Sequence, residues 1–267
     1  MTLNELIQKH GLDKINSLTK YPSILTYHQL GSKGGLKNEL IDNGFPEGVI
    51  LEVTEKVDGT NGRFVCIGDD YLLGQREMFV YAKGDRIVNS EIIDVMKNAL
   101  ESIYSNDFIV IYGEVYGYRI QDGSKIYCPE GSKEKNFRVF DIWKMNVDDI
   151  DKYLSEASIE QITYDREHGW QPFVATDVLQ EIVYQYSLER TPIWMTMCSS
   201  DLPTDAVATK EWIEDNFKTS HAIIGEGSGT NQKFGRAEGV VIRTLDRKII
   251  RKLRFEDYHK GALKGWV

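Results

Sequence analysis

Two short apolar runs flank a polar turn that contains a lysine. The first run, residues 49–53, precedes Glu55-Lys56-Val57-Asp58-Gly59-Thr60-Asn61-Gly62, and the second, residues 64–67, follows it. Such runs, bounded by glycine and polar residues, predict two buried strands joined by a tight turn. A lysine there can be held near other cations or partly desolvated, as a nucleophilic lysine must be. The structural alternative is a hairpin in which Asp58-Gly59 only makes the bend and Lys56 is solvated.

The bulk composition is that of an ordinary globular chain. Of its 267 residues, 41% are hydrophobic and 27% are charged, and no stretch approaches the ~20 apolar residues of a membrane span. The N-terminus lacks an export signal, which predicts a cytoplasmic protein. Cys66, Cys128 and Cys198 are widely spaced, which predicts reduced thiols with neither a disulfide frame nor a zinc site. The net charge of −9 argues against broad adhesion to nucleic acid.

The pattern of apolar residues predicts an α+β fold with mainly antiparallel sheets flanked by helices. Thr2 and Glu5 form a plausible capping box on an opening helix. Helical spacing marks residues 91–104, and strands are expected at 108–112, 137–143, 238–243 and 248–255, with a strand-turn-strand meander over 48–80. Residues 1–46 are read as a leader that is irregular from 12 onward, with a strand near 24–27. Residues 144–232 are read as an inserted mixed helical segment that contains a glycine-rich loop at 225–230, all within a domain spanning 47–267.

Charged residues at buried strands indicate where chemistry is to be sought. Glu114, Asp141 and Glu238 each lie at or within an apolar run, and a buried acid costs free energy unless something needs it; taken singly, a capped turn or a satisfied ion pair explains each. Five of the eight residues from 247 to 254 are basic. Lys252 and Arg254, two apart on a strand, are expected to share a face. Such a basic strip can hold phosphate, although lysines on an edge strand also discourage aggregation.

Taken in order, these pieces resemble the five collinear motifs of the covalent nucleotidyltransferases, the superfamily of polynucleotide ligases and mRNA capping enzymes. Within it the chain is most similar to the ATP-dependent RNA ligases of phages and of RNA editing, over about residues 47–260. The segments that carry the resemblance are Glu55-Lys-Val-Asp-Gly-Thr-Asn61, Gly113-Glu-Val-Tyr-Gly117, Phe140-Asp141, Glu238-Gly-Val-Val-Ile-Arg243 and Lys252-Leu-Arg-Phe-Glu-Asp-Tyr258, with Arg76 twenty positions beyond the lysine.

The resemblance implies an adenylation domain that seals RNA ends, in RNA repair for example. Lys56 attacks the α-phosphate of ATP to form lysyl-AMP, the AMP passes to a 5′-phosphate, and a 3′-hydroxyl displaces it. The implied catalytic residues are Lys56, Lys252 and Glu238. The residues implied to bind ATP are Glu55, Asn61, Arg76, Glu114, Phe140 and Arg254, and those implied to hold Mg²⁺ or Mn²⁺ are Glu238 and Asp58.

Two departures from the family pattern leave the substrate open. Arg254 stands where lysine is usual, and Asp58 where the RNA ligases that seal duplexes often have histidine and DNA ligases have aspartate. The chain ends 13 residues after Arg254 (267 − 254), which predicts no C-terminal OB or helical domain and leaves room for a partner chain that grips nucleic acid, such as a nicked duplex. The alternatives are a minimal DNA ligase, a polynucleotide 5′-adenylylating enzyme, the less favoured mRNA guanylyltransferase, or a non-catalytic nucleotide-binding or interaction protein.

Overall fold

The computed structural model describes residues 1–31, 34–224 and 235–261 as an α+β fold with largely antiparallel sheets, which confirms the predicted fold class. The strands are β1 His28–Leu30, β2 Leu36–Leu40, β3 Ile50–Lys56, β4 Thr60–Gly68, β5 Asp70–Gln75, β6 Phe79–Ala82, β7 Asp85–Arg86, β8 Ser105–Gly117, β9 Lys135–Met145, β10 Ile193–Cys198, β11 Gly239–Thr244 and β12 Ile250–Arg254. The α-helices are α1 Leu3–His10, α2 Leu12–Thr19, α3 Ile92–Leu100, α4 Gly123–Ile126, α5 Val147–Glu156, α6 Ile159–Glu167, α7 Thr176–Gln185, α8 Ala206–Asn216 and α9 Phe255–Gly261, with short 3-10 helices at Ile41–Asn43 and Ser199–Asp201.

The chain divides into two compact units, each built from separate stretches of sequence. Unit 1 comprises Met1–Ser23, Gly59–Val115 and Lys135–Arg190. It contains nearly all of a six-stranded sheet in the order β7-β6-β5-β4-β8-β9. Its core joins apolar residues of this sheet to helices α1, α2, α5 and α6, through side chains such as Leu6, Leu18, Val110 and Leu154. Burial of these apolar surfaces holds the helices on the sheet.

Unit 2 comprises Ile24–Asp58, Tyr116–Glu134 and Thr191–Val267. It contains a four-stranded sheet in the order β10-β3-β11-β12 and the small β1-β2 sheet. Leu51, Val53, Val240, Ile242 and Leu253 form the centre of its core. Strand β3, which carries the lysine motif, is paired on both sides.

The lysine motif does not make a hairpin. Residues 57–59 carry the chain from β3, in the four-stranded sheet, to β4, in the six-stranded sheet. The expectation of a continuous meander from residue 48 is therefore wrong at this turn, although the individual strands are present. Local sequence predicts that a strand forms, whereas the choice of partner depends on segments far along the chain.

Three local expectations also need correction. Residues 12–46 are not irregular throughout, since they include α2, β1 and β2. The strand expected near 24–27 is reduced to a single bridge between Thr26 and Lys252. The segment expected to be mixed helical, 144–232, supplies strand β10 to the edge of the four-stranded sheet.

Another local expectation is confirmed, since Thr2 and Glu5 form both halves of the capping box. The structure describes all three cysteines as free thiols. In the described part of the chain, no helix is both long and apolar enough to cross a membrane. The glycine-rich stretch 225–230 lies outside the described residues.

Candidate active site

Lys56, Lys252 and Arg254 lie on one face of the four-stranded sheet. Lys56 ends β3 opposite Gly239 of β11, which lies opposite Arg254 of β12. Two positions away, Thr54, Val241 and Lys252 form the next row across the same strands. Residues directly opposite one another, and residues two apart on a strand, point to the same side of a sheet. Lys56 and two cations from the far end of the chain therefore converge on one face, and Lys252 and Arg254 share that face as predicted.

Glu238 supplies the negative charge next to Lys56. It immediately precedes β11, and its carboxylate accepts a short hydrogen bond from the Lys56 ammonium. Each side chain of this pair keeps about a quarter of its surface exposed, 27% for Lys56 and 25% for Glu238. The pair is therefore accessible to a ligand that approaches this face.

Asp58 follows Lys56 by two residues and titrates abnormally. Burial raises the pKa of its carboxyl above the usual value, and the negative charge of Glu238 raises this pKa further. The charge of Lys56 acts in the opposite direction. Two carboxylates that repel each other in this way are stabilised by a divalent cation between them.

The basic strip at 247–254 is divided between neighbours and does not form one basic surface. Arg254 donates to Asp257 over 2.7 and 2.8 Å, which raises the pKa of the Arg254 guanidinium. Arg251 is buried and donates to Asp42 over 3.1 Å, and Lys248 pairs with the acid two residues before it. Acids from outside the strip neutralise it in part. The register of β12 places Lys252 and Arg254 on the face of Lys56.

Glu55 lies on the opposite face of β3 from Lys56, towards the core, and is 1% exposed. Its carboxylate accepts hydrogen bonds from the Ser220 hydroxyl at 2.5 Å and from the His221 backbone N–H at 2.7 Å. The Ser220 hydroxyl also accepts from the N–H of Ala222 at 3.0 Å. These bonds satisfy a carboxylate that would otherwise be costly to bury.

Three further candidates from the sequence form a row in unit 1. Gln75, Gly62 and Gly113 lie opposite one another on β5, β4 and β8. At the next position Asn61 faces Glu114, and Arg76 follows the end of β5 at the same level. The Asn61 side-chain oxygen is buried and has no hydrogen-bond partner among the described residues. Arg76 is exposed, with Glu77 3.9 Å away.

Phe140 and Asp141 are fixed by one tyrosine of the N-terminal segment. The ring of Tyr21 packs edge-on against Phe140 with 5.0 Å between centroids. The Tyr21 hydroxyl donates to the Asp141 carboxylate over 2.8 Å. Asp141 is fully buried, so this contact gives it the satisfied structural role that was the alternative for an acid within a strand.

The glycines of two motifs are required by the close approach of neighbouring strands. A Cβ atom at Gly113 would lie 2.6 Å from the Arg138 carbonyl oxygen. At Gly239 it would collide with the Leu253 carbonyl and lie 2.8 Å from the Arg254 Cα. Both sites are inside strands, where glycine otherwise weakens the sheet. The glycine next to each motif acid thus allows the adjacent strand to approach closely.

Sequence reasoning missed the residues that hold the motif from outside it. Ser220 and His221 bind Glu55, and the Tyr127 hydroxyl accepts a hydrogen bond from the Asp58 backbone N–H at 2.5 Å. None belongs to a recognisable motif or spacing, because their role depends on distant segments meeting in the fold. No local signal identifies them.

The fold and this arrangement agree with the resemblance to nucleotidyltransferases of the ligase type. The family model described as RNA ligase matches residues 50–259, and the chain belongs to the RNA ligase family. The predicted resemblance is thereby confirmed. No curated protein sequence matches the chain.

Solved structures of an RNA ligase from Naegleria gruberi share the fold. The form with pyrophosphate is 16% identical with a TM-score of 0.57, and the alignment covers 93% of this chain and 59% of that chain. A mutant with ATP and manganese gives 16% identity and a TM-score of 0.57, covering 90% and 57%. A ligand-free mutant gives 19% and 0.53, covering 79% and 51%. This chain therefore spans between half and three fifths of the length of those proteins.

Proposed function

We propose that this chain is the adenylylating part of an ATP-dependent RNA ligase, with Lys56 as its nucleophile. The observation that carries the proposal is the convergence of Lys56, Lys252 and Arg254 on one sheet face, beside the carboxylate of Glu238. Membership of the RNA ligase family supports RNA as the substrate. The related structures with ATP or pyrophosphate support ATP as the adenylyl donor.

In the proposed first step, a bond forms between the Lys56 nitrogen and the α-phosphorus of ATP. The bond from that phosphorus to the bridging oxygen breaks, and pyrophosphate leaves. Lys56 must first separate from Glu238 and give up a proton to solvent, which its partly exposed side chain reaches, because an ammonium nitrogen has no lone pair for attack. The AMP then passes to a 5′-phosphate, and a 3′-hydroxyl displaces it to join the RNA ends.

The cations on the face of Lys56 would stabilise charge that builds on the phosphate oxygens. Lys252 supplies a point charge, whereas Arg254 has a planar fork that binds phosphate through two donors. Arg254 would exchange its present acidic partners, Glu256 at 2.9 Å and Asp257 at 2.7 Å, for phosphate. Arg254 can therefore contact phosphate only after this exchange.

A divalent cation fits next to these residues only with help from the nucleotide. Among the described residues, no group of three or more His, Cys, Asp or Glu side chains could hold a metal. Glu238 and Asp58 are two carboxylates close enough for one to raise the pKa of the other. Mg²⁺ commonly binds one or two carboxylates and completes its shell with water and substrate phosphates. When bound, the cation would polarise the phosphate and neutralise its charge.

The row of residues in unit 1 would bind the nucleoside. We assign Glu114 and Arg76 to the ribose hydroxyls and Phe140 to stacking on adenine, with the backbone at Glu55 reading the adenine edge. The side-chain oxygen of Asn61 has no hydrogen-bond partner among the described residues, so it can accept a hydrogen bond from the nucleotide. A role in RNA repair on nicked duplexes, with or without a partner chain, extends this proposal.

The test is incubation with α-labelled ATP, and separately GTP, plus magnesium, followed by denaturing electrophoresis and peptide mass analysis. An AMP adduct on Lys56, formed with release of pyrophosphate and absent from Lys56→Ala, is the expected result. A GMP adduct would assign the chain to capping chemistry. No adduct from folded, AMP-free protein would leave a nucleotide-binding or interaction protein. The adenylylated enzyme is then given nicked RNA and, separately, nicked DNA. The substrate that it seals distinguishes an RNA ligase from a DNA ligase.

A further inference from the structure

The structure assigns Tyr127 as a positioning residue for Lys56. The assignment rests on the proposed function and adds a residue outside the five motifs. Tyr127 follows α4 in the segment 116–134 of unit 2. Its hydroxyl oxygen accepts a hydrogen bond from the backbone N–H of Asp58 at 2.5 Å. The bonded N–H lies two residues from Lys56, at the point where the chain has left β3.

Tyr127 is itself held firmly. The side chain is fully buried, and its ring packs edge-on against Tyr116 with 4.9 Å between centroids. Its N–H donates to the Gly123 carbonyl at 2.9 Å, and its carbonyl accepts from the Ile224 N–H at 2.9 Å. Because these contacts fix the ring and the backbone of Tyr127, its hydroxyl has little freedom to move with Asp58. The turn therefore takes its position from Tyr127.

The neighbours of Lys56 on both sides are anchored by the same unit. Glu55 is bound by Ser220 and His221, while Val57 is buried in a small cluster with Tyr127 and Ala222. The anchoring groups come from 116–134 and 220–224, which follow Lys56 by many residues in the chain. Only the side chain of Lys56, partly exposed, is left to change partners. This arrangement suits a nucleophile that must leave Glu238 while its backbone stays in place.

The hydrogen bond has a kinetic meaning because in-line attack depends on the position of the nucleophile. Misplacement by about 1 Å can reduce a rate on the order of 10²-fold. We expect the loss of one hydroxyl to displace the turn by less than that, and therefore roughly a tenfold reduction in the rate of lysyl-AMP formation. The apparent KM for ATP should stay the same, because Tyr127 contributes no group to the nucleotide site as proposed.

The experiment compares wild type with Tyr127→Phe, which removes the hydroxyl and keeps the buried ring. Single-turnover formation of the AMP adduct is measured across ATP concentrations, together with thermal unfolding. The expected result is a lower maximal rate, an unchanged KM and a melting temperature close to that of wild type. Tyr153→Phe is the control, because its hydroxyl donates to Asp165 at 2.7 Å within unit 1 and makes no bond to the motif among the described residues. Its adenylylation rate should equal that of wild type.

Several outcomes would overturn the assignment. One is a wild-type maximal rate in Tyr127→Phe, and another is a change confined to KM. A rate loss that only follows the fraction of unfolded protein would give Tyr127 a purely structural role. Tyr127→Leu, which removes the ring as well, should lower both the adenylylation rate and the melting temperature. It provides the reference for a rate loss that is caused by a packing defect. If wild type itself forms no adduct while folded, the proposed function fails, a result distinct from all of these.

Discussion

Gly239 lies opposite Lys56 on one neighbouring strand and opposite Arg254 on the other. A Cβ atom at this position would collide with the Leu253 carbonyl and lie 2.8 Å from the Arg254 Cα. Both are backbone contacts, so a side chain here cannot be accommodated by rotation. The spacing of β11 and β12, and with it the distance from Lys56 to the cations, depends on this glycine.

Gly239→Ala should therefore separate β11 from β12. We expect a loss of about 1–3 kcal/mol in the free energy of unfolding, typical of overpacking, and a slower formation of lysyl-AMP. Urea titration and adduct labelling measure the two effects. Gly35→Ala is the control, since a Cβ atom there has nothing within 4 Å. Equal stability in the two variants would show that β11 and β12 tolerate the added methyl group.

Removal of charge next to Lys56 should affect the reaction more than the fold. For Lys252→Ala we expect the rate of adduct formation to fall on the order of 10²-fold, as when other preorganised electrostatic groups are removed. Glu238→Gln should act similarly, because it removes the acid beside Lys56 and one of the two proposed carboxylates for the metal. Single-turnover labelling with thermal unfolding as a control gives the comparison. Full labelling in either variant would mean that the reacting phosphate does not lie on this sheet face.

Glu52 and Arg243 form a buried ion pair on the same strands, and each side chain is at most 4% exposed. Glu52→Ala would leave a buried guanidinium without this partner. We expect the free energy of unfolding to fall by about 3–5 kcal/mol, the range for breaking a buried pair from one side. Urea unfolding measures it. Asp215→Asn, which breaks an exposed pair with Lys218, should change stability by less than about 1 kcal/mol; equal losses in the two variants would contradict the argument.

His28 should make the protein less stable in mild acid. Its Nε2 lies 2.9 Å from the Thr204 carbonyl, which can only accept, so Nε2 carries the proton and Nδ1 accepts from the Tyr258 hydroxyl at 2.8 Å. Burial lowers the pKa of this imidazole below its usual 6.5. The unfolded chain therefore binds a proton that the folded chain resists, and stability is lost as pH falls below about 6.5.

The pH experiment compares wild type with His28→Gln, whose amide keeps a donor for Thr204 and does not titrate. Urea unfolding from pH 8 to pH 5 should show a difference in stability between the two proteins that narrows as the pH falls. A difference that stays constant across this range would mean that His28 titrates equally in both states.

Local patterns in the sequence predict much of this molecule. Apolar runs mark β3, β4, β11 and β12, and the side chains of Lys252 and Arg254 share a face as their spacing indicates. Each of these features depends on neighbours along one strand. Helix α2 could be predicted in the same way, because Leu12, Ile15 and Leu18 recur at helical spacing after Gly11. The glycines between residues 31 and 44 instead favour an irregular segment, which is why residues 12–19 were not predicted as a helix.

Pairing between distant segments is what the sequence does not reveal. Strand β10 forms an edge of the four-stranded sheet by pairing with β3. Nothing in the sequence of residues 193–198 specifies β3 as the partner. The same holds for the acids Asp42 and Asp257 that neutralise the basic strip. The roles of Tyr127 and Ser220 could not be predicted either. They depend on contacts with the Asp58 backbone and the Glu55 carboxylate, which only the fold brings about. Such contacts depend on topology.

The discontinuous construction of unit 2 also sets an order of events during synthesis. Lys56 is translated early, but Glu238, its ionic partner, follows 182 positions later. At the usual pace of roughly 5–20 residues per second, the lysine waits on the order of ten seconds or more. Until β10 is made, starting 137 positions after Lys56 (193 − 56), the apolar strand β3 has neither β10 nor β11 beside it, and an unpaired strand of this kind can associate with other chains. The nascent chain is therefore most in need of chaperone protection while the lysine strand is made and its partners are not.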